Sequence, residues 1–317
     1  MRSIIPVATM LLLLAPAAAA QSHLLVVSGL AGEPRLEEQF HSWSTALVDA
    51  GRSRFDLPAE RITYLADKPE RDRTRISGEA TRANIDAALA RIAQSAGPAD
   101  RVLILFIGHG SADDQSSRIN LPGPDLTAAE LDRMLDRFTT QQVVVVNTAS
   151  ASGAFQEPLA GDNRTIITST SSGREQNETV FARYFVDAFV GEGADVDKDG
   201  KVTVLEAYDF ANTEVERFYE ADNRLQTEHS VLGGDRELAR AFTLGGAVAH
   251  AATAGVGSNN PEIRALVEQR DGLEAQVQAL TARKSEMDEA AYQRELERLL
   301  LELARTNREI RAKEGTE

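Results

Sequence analysis

Between residues 21 and 245, five runs of continuous apolar, largely β-branched residues alternate with segments of helical period. The runs are HLLVVSG (23–29), RITYLAD (61–67), RVLILFIGHG (101–110), QQVVVVNT (141–148) and RTIITST (164–170). A strand with one face in water alternates apolar and polar residues; these are apolar at successive positions, so both faces must be covered. Helical patterns fall between them at 36–49, 82–94 and 128–138, the last entered through a Thr127–Glu130 capping box. The predicted fold class is therefore α/β, a mostly parallel sheet with helices on both faces. Such sheets bind ligands beyond the carboxyl ends of their strands. That places the candidate site among 108–111, 148–153 and 169–175.

The formal net charge of −15 repels nucleic-acid phosphates and anionic lipid, which argues against both as partners, and suits metal cations. With no cysteine in 317 residues, no disulfide supports the fold. Residues 1–20 have the layout of a secretory signal: Arg2, an apolar stretch Ile4–Leu14, then APAAAA before Gln21. The stretch is shorter than the roughly 20 apolar residues of a membrane helix. Cleavage after Ala20, export to a periplasm and no remaining membrane span are expected. At the other end, 246–260 (GAVAHAATAGVGSNN) is small-residue and aperiodic, a linker. Pro261 opens a helical segment, 261–314, with heptad-spaced Ile263, Leu266, Leu273, Val277 and Leu280 in one arm and Leu296, Leu299, Leu303 and Ile310 in the other. Asp288 stands where it can cap the second arm. An antiparallel coiled-coil hairpin fits, and arms of this length are marginal alone, so self-association or docking on a partner is expected.

DVDKDGKVTVLE, 195–206, fills the whole EF-hand loop template. A hard cation takes six to eight oxygens. Asp195, Asp197 and Asp199 supply carboxylates, Lys201 a main-chain carbonyl, Thr203 a direct or water-mediated ligand, and Glu206 both its oxygens, while Gly200 allows the sharp turn. Helical patterns flank the loop on both sides. Calcium in a structural role is the expected cofactor.

Two further features lie at strand ends. ILFIGHGS, 104–111, carries His109-Gly110 where a buried strand stops, and VVVVNTASASGAF, 143–155, stops in small, polar and glycine residues. With the Ser171, Ser172 and Glu175 that follow the next strand, and LQTEHSVL downstream, these features resemble the legumain and caspase-like cysteine endopeptidases over residues 23 to about 233. The family's nucleophile turn is similar to Ala-Cys-x-Ser-Gly-Gly-Phe; laid on 149–155, it puts Ser150 where the cysteine is expected. A register shifted by one would put Ala149 there and leave no nucleophile. The resemblance implies a caspase-like sheet, His109 assisting nucleophilic attack on a peptide carbonyl, Gly110 N–H as an oxyanion donor, and a substrate pocket near Ser171, Ser172 and Glu175.

A hydroxyl must lose its proton during attack to a well-aligned base, and neither a Gly-x-Ser-x-Gly elbow nor a carboxylate placed to orient His109 is evident. The favoured expectation is a degenerate, calcium-binding peptidase homologue that binds a peptide or protein as a scaffold. The alternative is an active endopeptidase using Ser150 and His109. His23, His41 and His250 have no metal-ligand spacing and read as structural or solvated, and His229 as a residue able to approach the sheet edge. SGLAGEP lacks a Walker lysine, which argues against nucleotide binding. Trp43, on an amphipathic helix face, reads as core.

Overall fold

The structure is a computed structural model describing residues 20–113, 116–191, 193–221, 223–245 and 288–314, with scattered positions between 262 and 280. The expected signal (1–20, all but its last residue) and linker (246–260) lie outside the described residues. The expected strands form as β1 (Ser22–Ser28), β2 (Ile62–Ala66), β4 (Arg101–Ile107), β8 (Gln142–Asn147) and β9 (Arg164–Thr168). They join two short additions, β3 (Gly78–Glu79) and β10 (Val231–Gly234), in one sheet of order β10-β9-β8-β4-β1-β2-β3. Every pairing is parallel except β10 on β9.

Successive residues of each central strand serve opposite cores, which is why the runs are continuous. Leu24, Val26, Leu103, Leu105, Val144 and Val146 pack on one face against α1 (Pro34–Ser53), α5 (Phe181–Val190) and α6 (Val204–Ala221). Leu25, Val27, Ile104, Phe106, Val143 and Val145 pack on the other against α2 (Arg82–Ser95) and α3 (Ala128–Leu135). Burying each such side chain contributes about 1.5–3 kcal/mol before chain entropy is set against it. The Thr127–Glu130 capping box forms in full: Glu130 N donates to Thr127 Oγ1 (3.2 Å), and Thr127 N donates back to Glu130 Oε2 (3.0 Å).

The strand order reverses between β1 and β4, and the crevice at that reversal is where an α/β sheet takes its ligands. A second, small antiparallel sheet stands over it, made of β5 (Gly110–Ala112), β6 (Ser117–Ile119) and β7 (Leu126–Thr127). At the C-terminus, Asp288 Oδ1 accepts from Ala291 N (3.0 Å) at the start of the helix Glu289–Glu314. Leu273 and Leu280 are buried together with Tyr292, Leu299 and Leu303 of that helix. No helix among the described residues is long and apolar enough to cross a membrane.

Candidate functional site

His109 follows β4 and Ser150 follows β8, and these strands are hydrogen-bonded neighbours, so both residues emerge at one edge of the sheet. The histidine is half-buried, its ring edge-on to Phe40 with centroids 5.6 Å apart. Its Nε2 lies 3.1 Å from the main-chain oxygen of Ala31, in the loop after β1. A carbonyl only accepts, so Nε2 carries the proton and a neutral ring keeps its lone pair on Nδ1. The orienting group absent from the sequence reading is thus a backbone carbonyl. Main-chain bonds from Asn120 N to His109 O (2.9 Å) and from Leu30 N to Asn120 O (3.1 Å) tie the two loops together.

Ser150 is 4% exposed, and its hydroxyl is bracketed by one residue. Gly110 N donates to Ser150 Oγ (3.1 Å), and Ser150 Oγ donates to Gly110 O (3.0 Å). The N–H expected to receive an oxyanion therefore holds the serine itself. The next residue, Ala151, is fully buried with φ 57°, a left-handed conformation that costs a non-glycine residue roughly 1–3 kcal/mol. Neighbouring hydroxyls fix the turn. Ser152 Oγ lies 3.2 Å from Ser169 Oγ and 3.1 Å from Thr170 Oγ1, and Thr170 Oγ1 also accepts from Gly153 N (2.9 Å). Beneath it, Asn147 Nδ2 is buried without a partner, an orphan donor under the strand end.

Ser171, Ser172 and Glu175 form the loop against this turn, where Ala151 N donates to Glu175 O (2.7 Å). The Glu175 carboxylate accepts from Ser171 N and Oγ (3.0 and 2.7 Å) and meets His229 N and Nδ1 (3.1 and 3.0 Å). Although burial opposes it, these donors hold the carboxyl below its ordinary range. Ser172 Oγ accepts from Arg174 N (3.4 Å).

Glu228, which sequence reasoning passed over, is 1% exposed. Its two oxygens accept from Val180 N (2.8 Å) and Phe181 N (3.2 Å) at the entry to α5, and Tyr219 OH donates to it at 3.3 Å. Burial foremost pushes its pKa up to about 7. Between the ordinary carboxylate value and about 7 the folded state then binds more protons than the unfolded chain, so stability falls as pH rises through that window. In Glu228→Gln that part of the slope, on the order of 3 kcal/mol, should vanish from a plot of thermal midpoint against pH. An unchanged slope would assign it to other groups.

Asp195, Asp197 and Asp199 bring carboxylate oxygens within 4.8 Å of one another. Gly200, at φ 84°, makes the turn, and its N–H donates to Asp195 Oδ2 (2.9 Å); Lys198 is also left-handed, at φ 60°. Lys201 N donates to Asp199 Oδ1 (2.7 Å), while Glu206 Oε2 accepts from Thr203 N and Oγ1 (both 2.9 Å). Burial, then the charges of Asp199 and Glu206, push Asp197 up to about 8; burial also raises Glu206. Thr203 forms an antiparallel bridge with Thr243, and Val204 N donates to Phe242 O (2.8 Å).

Among the described residues, the other histidines are structural or surface groups, His250 lying outside them. His23 is buried against Asp100 (3.3 Å), His41 lies 3.4 Å from Tyr64 OH, and His229 reaches the edge of the site through Glu175.

Residues 75–242 match the model of the peptidase C13 family. A search of curated protein sequences gave no match. Among solved structures the chain is similar to protein GSU0716 from Geobacter sulfurreducens, at 13% identity and a TM-score of 0.42 over 69% of this chain and 96% of that one. It is also similar to drICE, at 13% identity and a TM-score of 0.40, covering 68% and 89% of the two chains.

Proposed function

The chain belongs to the peptidase C13 family, the legumain family, and on that footing we propose that it is an exported, calcium-binding homologue whose cleft binds peptide without cutting it. One observation carries this reading: the Ser150 hydroxyl is held by the N–H and C=O of Gly110. Its proton rests on a main-chain carbonyl, which cannot serve as a base, and the oxyanion donor is already taken. The chain has no cysteine to supply a thiolate instead. Ser171, Ser172 and Glu175 form the wall against which a peptide would lie.

Calcium is assigned to 195–206 because the donor set is all hard oxygen and its carboxylates crowd one another in a sheltered loop. Asp195, Asp197, Asp199, Lys201 O, Thr203 and Glu206 would hold the ion, which supplies positive charge that rigidifies the α5–α6 connection. Export rests on the composition of residues 1–20. Cleavage after Ala20 would free an ammonium at Gln21, whose N lies 2.8 Å from Asp100 Oδ1. The helical segment 261–314 is assigned to an antiparallel coiled-coil hairpin that docks on a partner or a second copy.

A second reading, a working endopeptidase, is favoured by the Ala31 carbonyl, which orients His109 without a carboxylate. Reaction with a fluorophosphonate probe for activated serines separates the two. The binding reading expects Ser150 to stay unlabelled. Labelling at Ser150 that His109→Ala abolishes would establish the hydrolase.

A further inference from the structure

The cleft opens where the strands end; at the opposite edge of the sheet, in the turn before β4, Asp100 is a buried carboxylate, 7% exposed. The turn is tied down on several sides. Asp100 N donates to Gly97 O (3.1 Å), Gly97 N donates back to Asp100 Oδ2 (3.0 Å), and Gln141 Nε2 donates to Gly97 O (3.2 Å). Arg61 Nη1 lies 3.4 Å from the same Oδ2 but 2.9 Å from His23 Nε2. A guanidinium only donates, so Nε2 is the acceptor of that ring, and burial lowers the His23 pKa; His23 is neutral and brings no charge to Asp100. The other oxygen, Oδ1, accepts from Gln21 N at 2.8 Å, the shortest of these contacts. Although burial opposes it, the N–H groups of Gln21 and Gly97 hold the carboxyl below its ordinary range, so it is ionised.

Strand pairing fixes the position of that nitrogen. Arg101 N donates to Gln21 O (2.8 Å), Ser22 pairs with Arg101 and His23 with Val102, and Ser22 Oγ donates to Gly245 O (3.0 Å). Gln21 N cannot leave Asp100 without undoing the first pairs of β1 on β4. Gln21 itself is exposed. Hydrolysis of the Ala20–Gln21 bond leaves the carboxylate on Ala20 and turns Gln21 N into an ammonium. One of its three N–H groups then points at Asp100 and the other two meet water. A charge-assisted bond to a sheltered carboxylate is stronger than the amide bond it replaces.

We infer, on the footing of the cleavage proposed above, that Asp100 is the receptor for the new N-terminus, an ion pair that locks the sheet only once residues 1–20 are gone. A chemical protection comes with it. A free N-terminal glutamine cyclises: its amine nitrogen bonds to its own Cδ, the Cδ–Nε2 bond breaks, and ammonia leaves with the amine proton. An ammonium has no lone pair for that attack, so Asp100 also preserves Gln21 as glutamine.

The test compares two chains that differ by one residue, 21–317 and 20–317; only the first places an ammonium against Asp100. At about pH 6 the first should melt roughly 3–6 °C above the second. An α-amine titrates ordinarily near about 8, and its partner raises that value in the folded state. The difference should therefore be complete below about pH 7 and disappear by about pH 10. This profile needs no substitution, so it stands even if Asp100→Asn folds poorly. In Asp100→Asn the two chains should melt together at every pH. At neutral pH the 21–317 form of that variant should lose ammonia, read by mass spectrometry, about ten-fold faster than the wild type, since one pKa unit gives ten times more free amine. Equal midpoints at pH about 6, a difference that persists at about pH 10, or one retained in Asp100→Asn would overturn the lock alone. N-terminal sequencing of the protein exported by a bacterium from the whole chain tests the cleavage: a terminus other than Gln21 would overturn the lock together with its premise.

Discussion

Saturating calcium is expected to raise the thermal midpoint of the chelator-treated protein by about 10 °C. Four carboxylates, those of Asp195, Asp197, Asp199 and Glu206, share one twelve-residue loop, and two of them have pKa values raised chiefly by burial. A cation that binds only the folded state stabilises it by about 4 kcal/mol at a thousand times its dissociation constant. For a chain of this size each kcal/mol moves the midpoint by roughly 2–4 °C. Glu206→Gln removes the ligand that offers two oxygens, so the calcium increment should fall below about 2 °C. The same variant without calcium should be no less stable than the wild type except for the loss at Thr203, where Glu206 completes a helix cap. A midpoint indifferent to millimolar calcium would remove calcium from the account.

The second large effect is expected at Gly110. A Cβ there would overlap the main-chain oxygen of Ser150 and lie 2.8 Å from that of Arg118. Both obstacles are backbone, one in the nucleophile turn and one in β6, so neither can swing aside as a side chain would. Gly110→Ala should therefore cost about 3 kcal/mol or more, lowering the midpoint by roughly 6–12 °C. Ser150→Ala is the companion measurement. It keeps the shape of the junction and loses only the two bonds to Gly110, at a cost of about 1–2 kcal/mol. Equal losses in the two variants would mean that close approach is not what Gly110 provides.

The central strands were legible because their chemistry is redundant. Val143–Val146 could be nothing but a strand buried on both faces, and the five expected runs lie within three residues of the observed ones. The Thr127–Glu130 box was legible because a cap is a local bargain between residues three apart. Strands of two to four residues, such as β5, β6, β7 and β10, are too short to show a period, and Val231–Gly234 ends in two glycines. At the site, His109 and Ser150 could be found as ends of apolar runs. Ala31 could not, since its contribution is a main-chain oxygen that any residue carries. Glu228 was hidden for a different reason: nothing in TEHS tells a buried helix-capping carboxylate from a solvated one. Trp43 packs against the core as its amphipathic face implied, half-buried rather than enclosed, because it sits at the edge of that face. The bridge from Thr203 to Thr243 joins residues forty apart, beyond the reach of a local template.

The central claim, a peptidase fold whose cleft no longer cuts, is tested most directly by hydrolysis of a mixed fluorogenic peptide library with calcium present, comparing the protein without residues 1–20 with its His109→Ala variant. Both should match the buffer blank, because the Ser150 proton lies on Gly110 O and the Gly110 N–H is occupied. Turnover by the wild type that His109→Ala removes would contradict the account and make Ser150 a working nucleophile.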